Sequence, residues 1–291
     1  MNRGFQIVTV LVVLVFGGVF FLGGRLMKPV RTAPVIAAPA WPEGAPLPIS
    51  PFEAALLRYV KDDGGADFAA WRADPDARTA VDLFLAFASE YSPRSTPARF
   101  PTKVSRLRYW LLAAQAMQIK VILMTGATDV LALPAPLSAI PGDGLLRRFS
   151  FPLGGKSQTV LGLVRDFMSE DVDDPRLVFA LGGVARALGP LARKIPDEPE
   201  FESFLAARTA AFFAEPADCA FSPDGKAVAF APRIFLWRDV LTGVRPTPGG
   251  RDPDDVLRAV MAAHAPADIA AKLTASPPPA VRSGTADWRV R

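Results

Sequence analysis

The sequence is poor in the side chains that most often carry out chemistry: it contains one cysteine, Cys219, and one histidine, His264. A single cysteine excludes an internal disulfide and a cysteine-rich metal site. The residues around Cys219 offer neither a base nor a helix N-terminus that would activate its thiol. We expect His264 near the C-terminus of a helix, where a cation is favourable. We therefore expect no catalytic residue, no metal and no cofactor.

A phosphate-binding loop is also missing, although Gly155-Lys156-Ser157 resembles the end of one. Such a loop needs a glycine five residues before Gly155, and Ser150 occupies that position. Pro152 removes one of the backbone N–H groups that would hold phosphate. We interpret the motif as a glycine turn before a helix, with Lys156 and Ser157 in solvent. The formal net charge of +4 gives no reason to expect nucleic acid.

The longest hydrophobic run lies at the N-terminus, where residues 5–22 carry no charged side chain. A helix of this length extends about 27 Å, close to the about 30 Å of a hydrocarbon core. Its basic C-terminal flank favours an uncleaved anchor over the alternative, a cleaved signal peptide. We expect a single-pass membrane protein held in the lipid bilayer by residues 5–22. The positive charges after the run favour a cytoplasmic domain, but the short N-terminal tail favours export, and we expect the domain to be periplasmic.

Proline-rich segments divide the rest of the chain into a domain and its flanks. We expect one domain, and about residues 80–241 of it carry a resemblance to a known family. The predicted divisions are an N-terminal transmembrane anchor (1–28), a Pro/Ala-rich tether (29–49), a single α+β domain (50–273) and a flexible C-terminal tail (274–291).

Hydrophobic periodicity predicts an α+β fold: a mainly helical globular domain with a small antiparallel sheet, preceded by one N-terminal transmembrane helix. Asp252 is expected to cap one helix, and the turn at 223–225 is expected to join two strands as a hairpin. The other predicted helices cover 51–60, 79–91, 104–124, 159–168 and 200–214, and the predicted strands cover 177–181, 219–221 and 227–231.

Three segments resemble the bacterial family called domain of unknown function 547 (DUF547): "WLLAAQA" (110–116), residues 154–165 and "DPRLVFALGGVARALGPL" (174–191). The segment "PRIFLWRDVL" (232–241) is similar to the closing segment of that family. The resemblance implies an α+β domain of a kind often exported in bacteria, and no settled activity. The third segment is the most specific, and its matching residues are Asp174, Pro175, Arg176, Phe179, Ala180, Leu181, Pro190 and Leu191.

The positions where the sequence departs from the family pattern are those that could do chemistry. Where the family has His, Cys, Ser or Glu, this chain has apolar residues, which cannot transfer protons, attack carbon or hold a metal. The resemblance therefore implies a divergent member, a pseudoenzyme candidate that keeps a fold without its polar centre. The degenerate positions are Leu112, Ala114, Gln115, Val160, Leu161, Val178, Gly183, Ala187 and Leu188.

These observations predict a membrane-anchored, non-catalytic domain that acts as a scaffold or partner-binding module, with another protein as its partner. One alternative is a hydrolase or transferase that uses Asp171, Asp173 or Asp174 with Arg176. Another is an apolar small-molecule pocket at Val178 and Gly183.

Two charged or aromatic segments and the C-terminal tail around Trp288 are candidate contact surfaces. The basic segment 94–108 contains no acidic residue, although solvated side chains on a loop and helix start explain it equally well. The candidate contact residues are Arg94, Arg99, Lys103, Arg106, Arg108, Phe235 and Trp237.

Overall fold

The computed structural model describes residues 29–134, 143–168, 174–242 and 252–291. The helices are α1 (Ser50–Tyr59), α2 (Phe68–Ala73), α3 (Pro75–Glu90), α4 (Lys103–Thr125), α5 (Asp143–Arg147), α6 (Val160–Gly162), α7 (Leu177–Ala180), α8 (Phe201–Ala214), α9 (Pro232–Leu236), α10 (Arg238–Thr242), α11 (Pro253–His264) and α12 (Ala267–Leu273). A π-helical turn, Leu163–Met168, continues α6, and 3-10 turns cover Pro97–Arg99, Val130–Ala132 and Arg186–Leu188. The strands are β1 (Val30–Arg31), β2 (Phe149–Leu153), β3 (Lys156–Thr159), β4 (Cys219–Phe221), β5 (Ala227–Phe230) and β6 (Ala280–Ser283).

Helix α4 forms the centre of the core and begins at a reciprocal cap. The Thr102 side chain accepts a hydrogen bond from the Ser105 backbone N–H, and the Ser105 side chain accepts one from the Thr102 backbone. The helix ends at Gly126, whose φ of 72° is a left-handed conformation that glycine adopts without a steric penalty. The side chains of α4 are buried on all faces of the helix, and most of them are apolar. This identifies α4 as a helix enclosed by the domain.

Residues 29–49 belong to the domain, contrary to the expectation of an extended tether. Trp41 is buried, and its ring lies edge-on to Phe87 at 5.2 Å and to Phe100 at 5.5 Å between ring centroids. Val30 and Arg31 form β1, which pairs in parallel with β2. Burial of a large aromatic ring and strand pairing therefore fix this proline-rich segment in place.

The strands form two mixed three-stranded sheets, where one small antiparallel sheet was expected. In the first sheet β2 pairs in parallel with β1 and antiparallel with β3. In the second, β5 pairs antiparallel with β4, with Cys219 opposite Phe230, and in parallel with β6. The β4–β5 hairpin confirms the turn predicted at residues 223–225.

The Gly155-Lys156-Ser157 motif lies in the β2–β3 hairpin, where a turn before a helix was expected. Gly154 and Gly155 form the turn with φ values of 53° and 79°. Both of their backbone N–H groups donate to carbonyl oxygens at the end of α3, on Ala88 and Ser89, at 2.8 Å each. The two glycines therefore make a tight turn that also caps a helix C-terminus.

The strand predicted at residues 177–181 is wrong, because Leu177–Ala180 forms helix α7. A short apolar run does not distinguish a buried strand from a buried helical turn. The preceding Asp174-Pro175-Arg176 decides the outcome, since the Asp174 side chain accepts a hydrogen bond from the Arg176 backbone N–H at 3.0 Å. This turn leads directly into α7, whose N-cap is Arg176.

The C-terminal segment packs against the domain, where a flexible tail was expected. Strand β6 pairs with β5, and isolated bridges join Arg289 to Asp129 and Val290 to Ala185. Trp288 is 5% exposed, so its ring is part of the core. Pairing and aromatic burial together hold this segment in place, and it contributes to the site described below.

The fold class needs a further correction, because no helix in the described part of the chain has the length and apolar character needed to cross a membrane. The expected segment 5–22 and the anchor 1–28 lie outside the described residues. The described part of the chain is mainly helical with two small sheets. The absence of a membrane-spanning helix there also corrects the prediction of a single-pass membrane location with a periplasmic domain.

Candidate functional site

All nine positions at which the chain departs from the DUF547 pattern are buried. Gly183 lies against Leu188 and the amide of Gln118: a Cβ atom added at Gly183 would stand 2.4 Å from Leu188 Cβ and 2.7 Å from Gln118 Oε1. Neighbouring side chains therefore already fill the space that a larger residue would need. Both amide atoms of Gln115 are buried without a hydrogen-bonding partner among the described residues. The region is packed core with one unpaired amide.

Asp174, the one carboxylate considered for catalysis that the structure describes, lies in an ion-pair network with Arg176 and Glu202. Asp171 and Asp173 lie outside the described residues. Asp174 is bound by Arg176, with 2.6 Å between Arg176 Nη2 and Asp174 Oδ2, and Arg176 also binds Glu202. Burial alone would raise the pKa of Asp174, but hydrogen bonds from the Arg176 side chain and backbone outweigh it and hold the pKa below its ordinary value.

Two of the candidate contact residues are removed from the surface. Arg108 is 8% exposed and lies between the carboxylates of Glu53, at 2.5 Å, and Asp197. Trp237 is 4% exposed, and Phe235 is half-buried against the core.

Among the other candidate contact residues, the guanidinium of Arg99 stacks on the Trp41 ring, 4.8 Å from its centroid. The remaining members, Arg94, Lys103 and Arg106, are exposed or half-buried.

A cavity of about 440 Å³ opens beside the family-like segment, and we call it the arginine pocket. Its walls come from the 3-10 turn Arg186–Leu188 and the two residues after it, from α8, from the segment before β4, from the start of α9 and from the C-terminal segment. Ala187, one of the degenerate positions, is in its lining. Four arginines and four acidic residues contribute to the lining: Arg186, Arg208, Arg233, Arg291, Asp63, Glu215, Asp218 and Asp287.

Arg233 is the most deeply buried of these charges. Its Nη1 and Nη2 atoms donate to the two carboxylate oxygens of Asp218, the first at 2.7 Å. The guanidinium also lies over the Phe212 ring, 5.1 Å from the centroid. The Nε atom has no hydrogen-bonding partner in the described part of the chain. Arg233 is thus held firmly by one carboxylate while one N–H remains unused.

Arg208 is a pocket cation with one backbone partner. It extends from α8 and donates from Nη2 to the backbone oxygen of Pro190. It forms no ion pair with any residue in the described ranges. Burial, together with the nearby Arg233 and Arg291 cations, lowers the pKa of Arg208 to about 10. The guanidinium therefore remains charged at neutral pH in surroundings that disfavour its charge.

The C-terminal segment supplies the opposite wall. Asp287 accepts hydrogen bonds from Arg289 Nε at 2.9 Å and Nη2 at 2.7 Å, and these lower its pKa to about 2. Arg186 approaches the same carboxylate at 3.7 Å. Arg291 donates from Nη2 to the backbone oxygen of Asp63, and burial is the main cause that lowers its pKa. Asp218 and Asp287 are thus engaged by arginines other than Arg208.

The single cysteine lies beside the pocket wall, but its thiol is not activated. Cys219 follows Asp218 in the chain, and burial, followed by the Asp218 charge, raises the pKa of its thiol to about 11. Such a thiol remains protonated at neutral pH and is a poor nucleophile. His264 is the last residue of α11, at the helix end where it was expected. The described residues contain no group of three His, Cys, Asp or Glu side chains placed to hold a metal.

Sequence reasoning did not identify Arg208 and Arg233, although a local signal exists for each. Arg208 lies in "AARTAAFF" and Arg233 in "APRIFLW", where a single charge interrupts an apolar run. A charged residue in such a run is placed among buried neighbours and needs a partner. The pocket itself has no sequence signature, because its lining residues extend from Asp63 to Arg291.

Comparison with known proteins adds no further constraint, since no protein family, no curated protein and no solved structure matches the chain. The resemblance to DUF547 stays a prediction.

Proposed function

We propose that the protein is a non-catalytic binding module that holds its ligand in the arginine pocket. The observation that carries this proposal is Arg208, a half-buried guanidinium in the pocket wall without a carboxylate partner among the described residues. Removing a cation from water without pairing it costs free energy. A bound anion would offset that cost, which gives the unpaired charge a reason to be there.

The hydrogen bonds and ion pairs of the acidic residues in the pocket favour a binding function over a catalytic one. A general acid or base works best with a pKa near the operating pH. The pocket acid with the clearest perturbation, Asp287, has its pKa lowered to about 2 by the Arg289 hydrogen bonds, so it is neither a proton donor nor an effective base near neutral pH. Asp218 is bound through both oxygens by Arg233. These groups hold the pocket together and leave Arg208 to meet a ligand.

The test is recovery of the natural ligand. The chain is purified under native conditions from the cells that produce it and is then denatured, and the released small molecules are identified by mass spectrometry. We expect an anionic compound from the wild type and from the Arg78→Gln variant, whose altered arginine is an exposed residue of α3 outside the pocket lining. The Arg208→Gln variant should release much less of it.

Two results would contradict the proposal. One is an equal yield of the compound from Arg208→Gln and the wild type. The other is turnover of chromogenic esters or phosphate esters that is lost in Asp174→Asn, since this would assign the protein to the hydrolases and place its chemistry at the Asp174–Arg176 network.

A further inference from the structure

We propose that the ligand of the arginine pocket is a monoanionic carboxylate attached to a compact apolar group. This inference rests on the proposed function and adds the chemical class of the ligand. Three features of the pocket carry it: the number of charges in its lining, the N–H groups that remain unused, and the apolar residues between them.

The charge count favours a monoanion. Four arginine and four acidic side chains line the cavity, so the lining has no large positive excess. Arg233 is matched by Asp218, and Arg186 by Asp287, whereas the carboxylates of Asp63 and Glu215 belong to exposed residues. Arg208 and Arg291, neither of which forms an ion pair within the described residues, are the two cations left beside these acids. A ligand with two negative charges, such as a phosphate monoester, would be repelled by the neighbouring carboxylates after pairing with Arg208.

The unused hydrogen-bond donors favour a planar group with two acceptor oxygens. Arg208 uses Nη2 on the Pro190 carbonyl, which leaves its other N–H groups without a protein acceptor in the described ranges. Arg233 uses Nη1 and Nη2 on Asp218 and keeps a buried Nε without a partner. Guanidinium groups bind carboxylates through paired, coplanar hydrogen bonds. The spare donors of Arg208, which lines the cavity, therefore suit a carboxylate.

Gly189 packs closely against Arg233. Its φ of 83° lies in the left-handed region, and a Cβ atom there would stand 3.0 Å from the Cζ atom and 3.1 Å from the Nε atom of Arg233. Any other residue would place a methylene group against the face of the guanidinium next to its unused N–H. The glycine is therefore needed both for the backbone conformation and for the close approach of this loop to the Arg233 guanidinium.

The remaining lining favours a small apolar body on the ligand. Ala187, Ala211, Ala231 and Pro232 contribute apolar surface between the charges, and Phe179 and Phe212 lie behind them. The volume of about 440 Å³ lies near the lower end of the range of about 300–1,000 Å³ that is typical of small-molecule pockets. The cavity is therefore sized for a compact organic acid.

The experiment compares four probes on the 291-residue chain by saturation-transfer NMR titration at constant ionic strength: sodium butyrate, sodium acetate, butyl phosphate and 1-butanol. We expect butyrate to bind about tenfold more tightly than acetate, because it buries two more methylene groups. Butyl phosphate should bind more weakly than butyrate, and 1-butanol should not bind measurably.

Two variants locate the site. Arg208→Gln should weaken butyrate binding at least tenfold, whereas Arg78→Gln should leave it unchanged. Ala211→Trp places a large ring in the pocket from an exposed helix position and should block binding without altering a charge, which keeps the test valid if Arg208→Gln fails to fold. Ala206→Trp, exposed on the same helix but outside the lining, is its matched control.

The outcomes separate the two proposals. Tighter binding of butyl phosphate than of butyrate, or equal binding of butyrate and acetate, would overturn the ligand class and leave the binding module in place. Butyrate binding that survives both Arg208→Gln and Ala211→Trp would overturn the location of the site. A failure of all four probes to bind, together with no released compound in the native purification, would overturn the binding function as well.

Discussion

Arg233 and Asp218 lie side by side in the pocket wall, with two guanidinium nitrogens on two carboxylate oxygens. The Arg233 side chain is 2% exposed and that of Asp218 is 14% exposed. Arg233 belongs to the first turn of α9, and Asp218 immediately precedes β4. The backbone joins the same two places, because the Ala231 N–H donates to the Asp218 carbonyl at 2.8 Å. The pair thus fixes the wall against which Arg208 lies.

Removing the Asp218 charge should destabilise the fold strongly. The Asp218→Asn variant keeps the shape of the side chain but leaves Arg233 buried without a counter-charge, which typically costs about 3–5 kcal/mol. Urea denaturation should report this as a lower free energy of unfolding. The control is Asp62→Asn, which breaks the Arg193–Asp62 pair, where the Asp62 side chain is 92% exposed and a loss of at most about 1 kcal/mol is expected. Similar losses in the two variants would contradict the importance of burial here.

The unpaired amide of Gln115 predicts a substitution that stabilises the protein. Both of its amide atoms are buried without a partner among the described residues, so Gln115→Leu removes an unsatisfied polar group and retains the volume. We expect the free energy of unfolding to rise by about 1–2 kcal/mol. The contrast is Gln118→Leu, because the Gln118 amide donates to the carbonyls of Ala114 and Gly182 at 3.1 Å and 3.2 Å. The free energy of unfolding of Gln118→Leu should fall by about 1–2 kcal/mol. A loss of stability in Gln115→Leu would contradict the prediction and show that the Gln115 amide is hydrogen-bonded in solution.

The parts of the fold that depend on local sequence could be predicted, and those that depend on distant contacts could not. Helix α11 begins where Asp252 was expected to cap it, and the Asp252 side chain accepts a hydrogen bond from the Asp254 backbone N–H at 2.8 Å. Caps and apolar periodicity need only a few neighbouring residues. The mixed sheets could not be predicted in the same way, since β1 pairs with β2 and β6 with β5 across long stretches of chain.

The candidate site was harder to predict for the same reason. Sequence reasoning directed attention to the degenerate positions, and the structure places Gly183 and Leu188 in a packed core beside Gln118. The arginine pocket is created when α8, α9 and the C-terminal segment meet. Only the isolated charges of Arg208 and Arg233 within apolar runs hint at it, and an isolated charge does not name its partners.

Substitutions at the two adjacent glycines of the β2–β3 turn should destabilise the protein to different extents. A Cβ atom at Gly154 would stand 2.2 Å from Ser92 Oγ, and the φ of 53° is unfavourable for other residues. Gly154→Ala should therefore cost at least about 2 kcal/mol. Gly155 has a φ of 79° but open space around it, so Gly155→Asn should cost no more than about 1 kcal/mol. Thermal unfolding of the two variants checks this, and equal losses would contradict the steric explanation.

The thiol of Cys219 should be unreactive in the folded protein. Burial raises its pKa to about 11, so at pH 8 the thiolate fraction is lower by about two orders of magnitude than that of a free cysteine with a pKa of about 8.5. Iodoacetamide should modify it slowly in buffer and rapidly in concentrated urea. The folded state also holds the thiol proton more tightly, so this contribution to stability is present below the unfolded pKa and declines as the pH rises towards 11. Modification at the same rate with and without urea would contradict the burial of Cys219.

The effect of Arg208 on stability shows whether this residue serves ligand binding or the stability of the fold. If its unmatched charge is a cost to the folded state, Arg208→Met should raise the free energy of unfolding by about 1 kcal/mol even though the hydrogen bond to the Pro190 carbonyl is lost. The same change at Arg233 should have the opposite sign, because Arg233→Met leaves the Asp218 carboxylate without its bidentate partner. Urea denaturation of both variants measures the two signs. A stabilised Arg208→Met that no longer binds butyrate would show that stability is given up for ligand recognition at this position. A clear loss of stability in Arg208→Met would instead identify Arg208 as a structural residue, and the anion would then have no reason to be bound there.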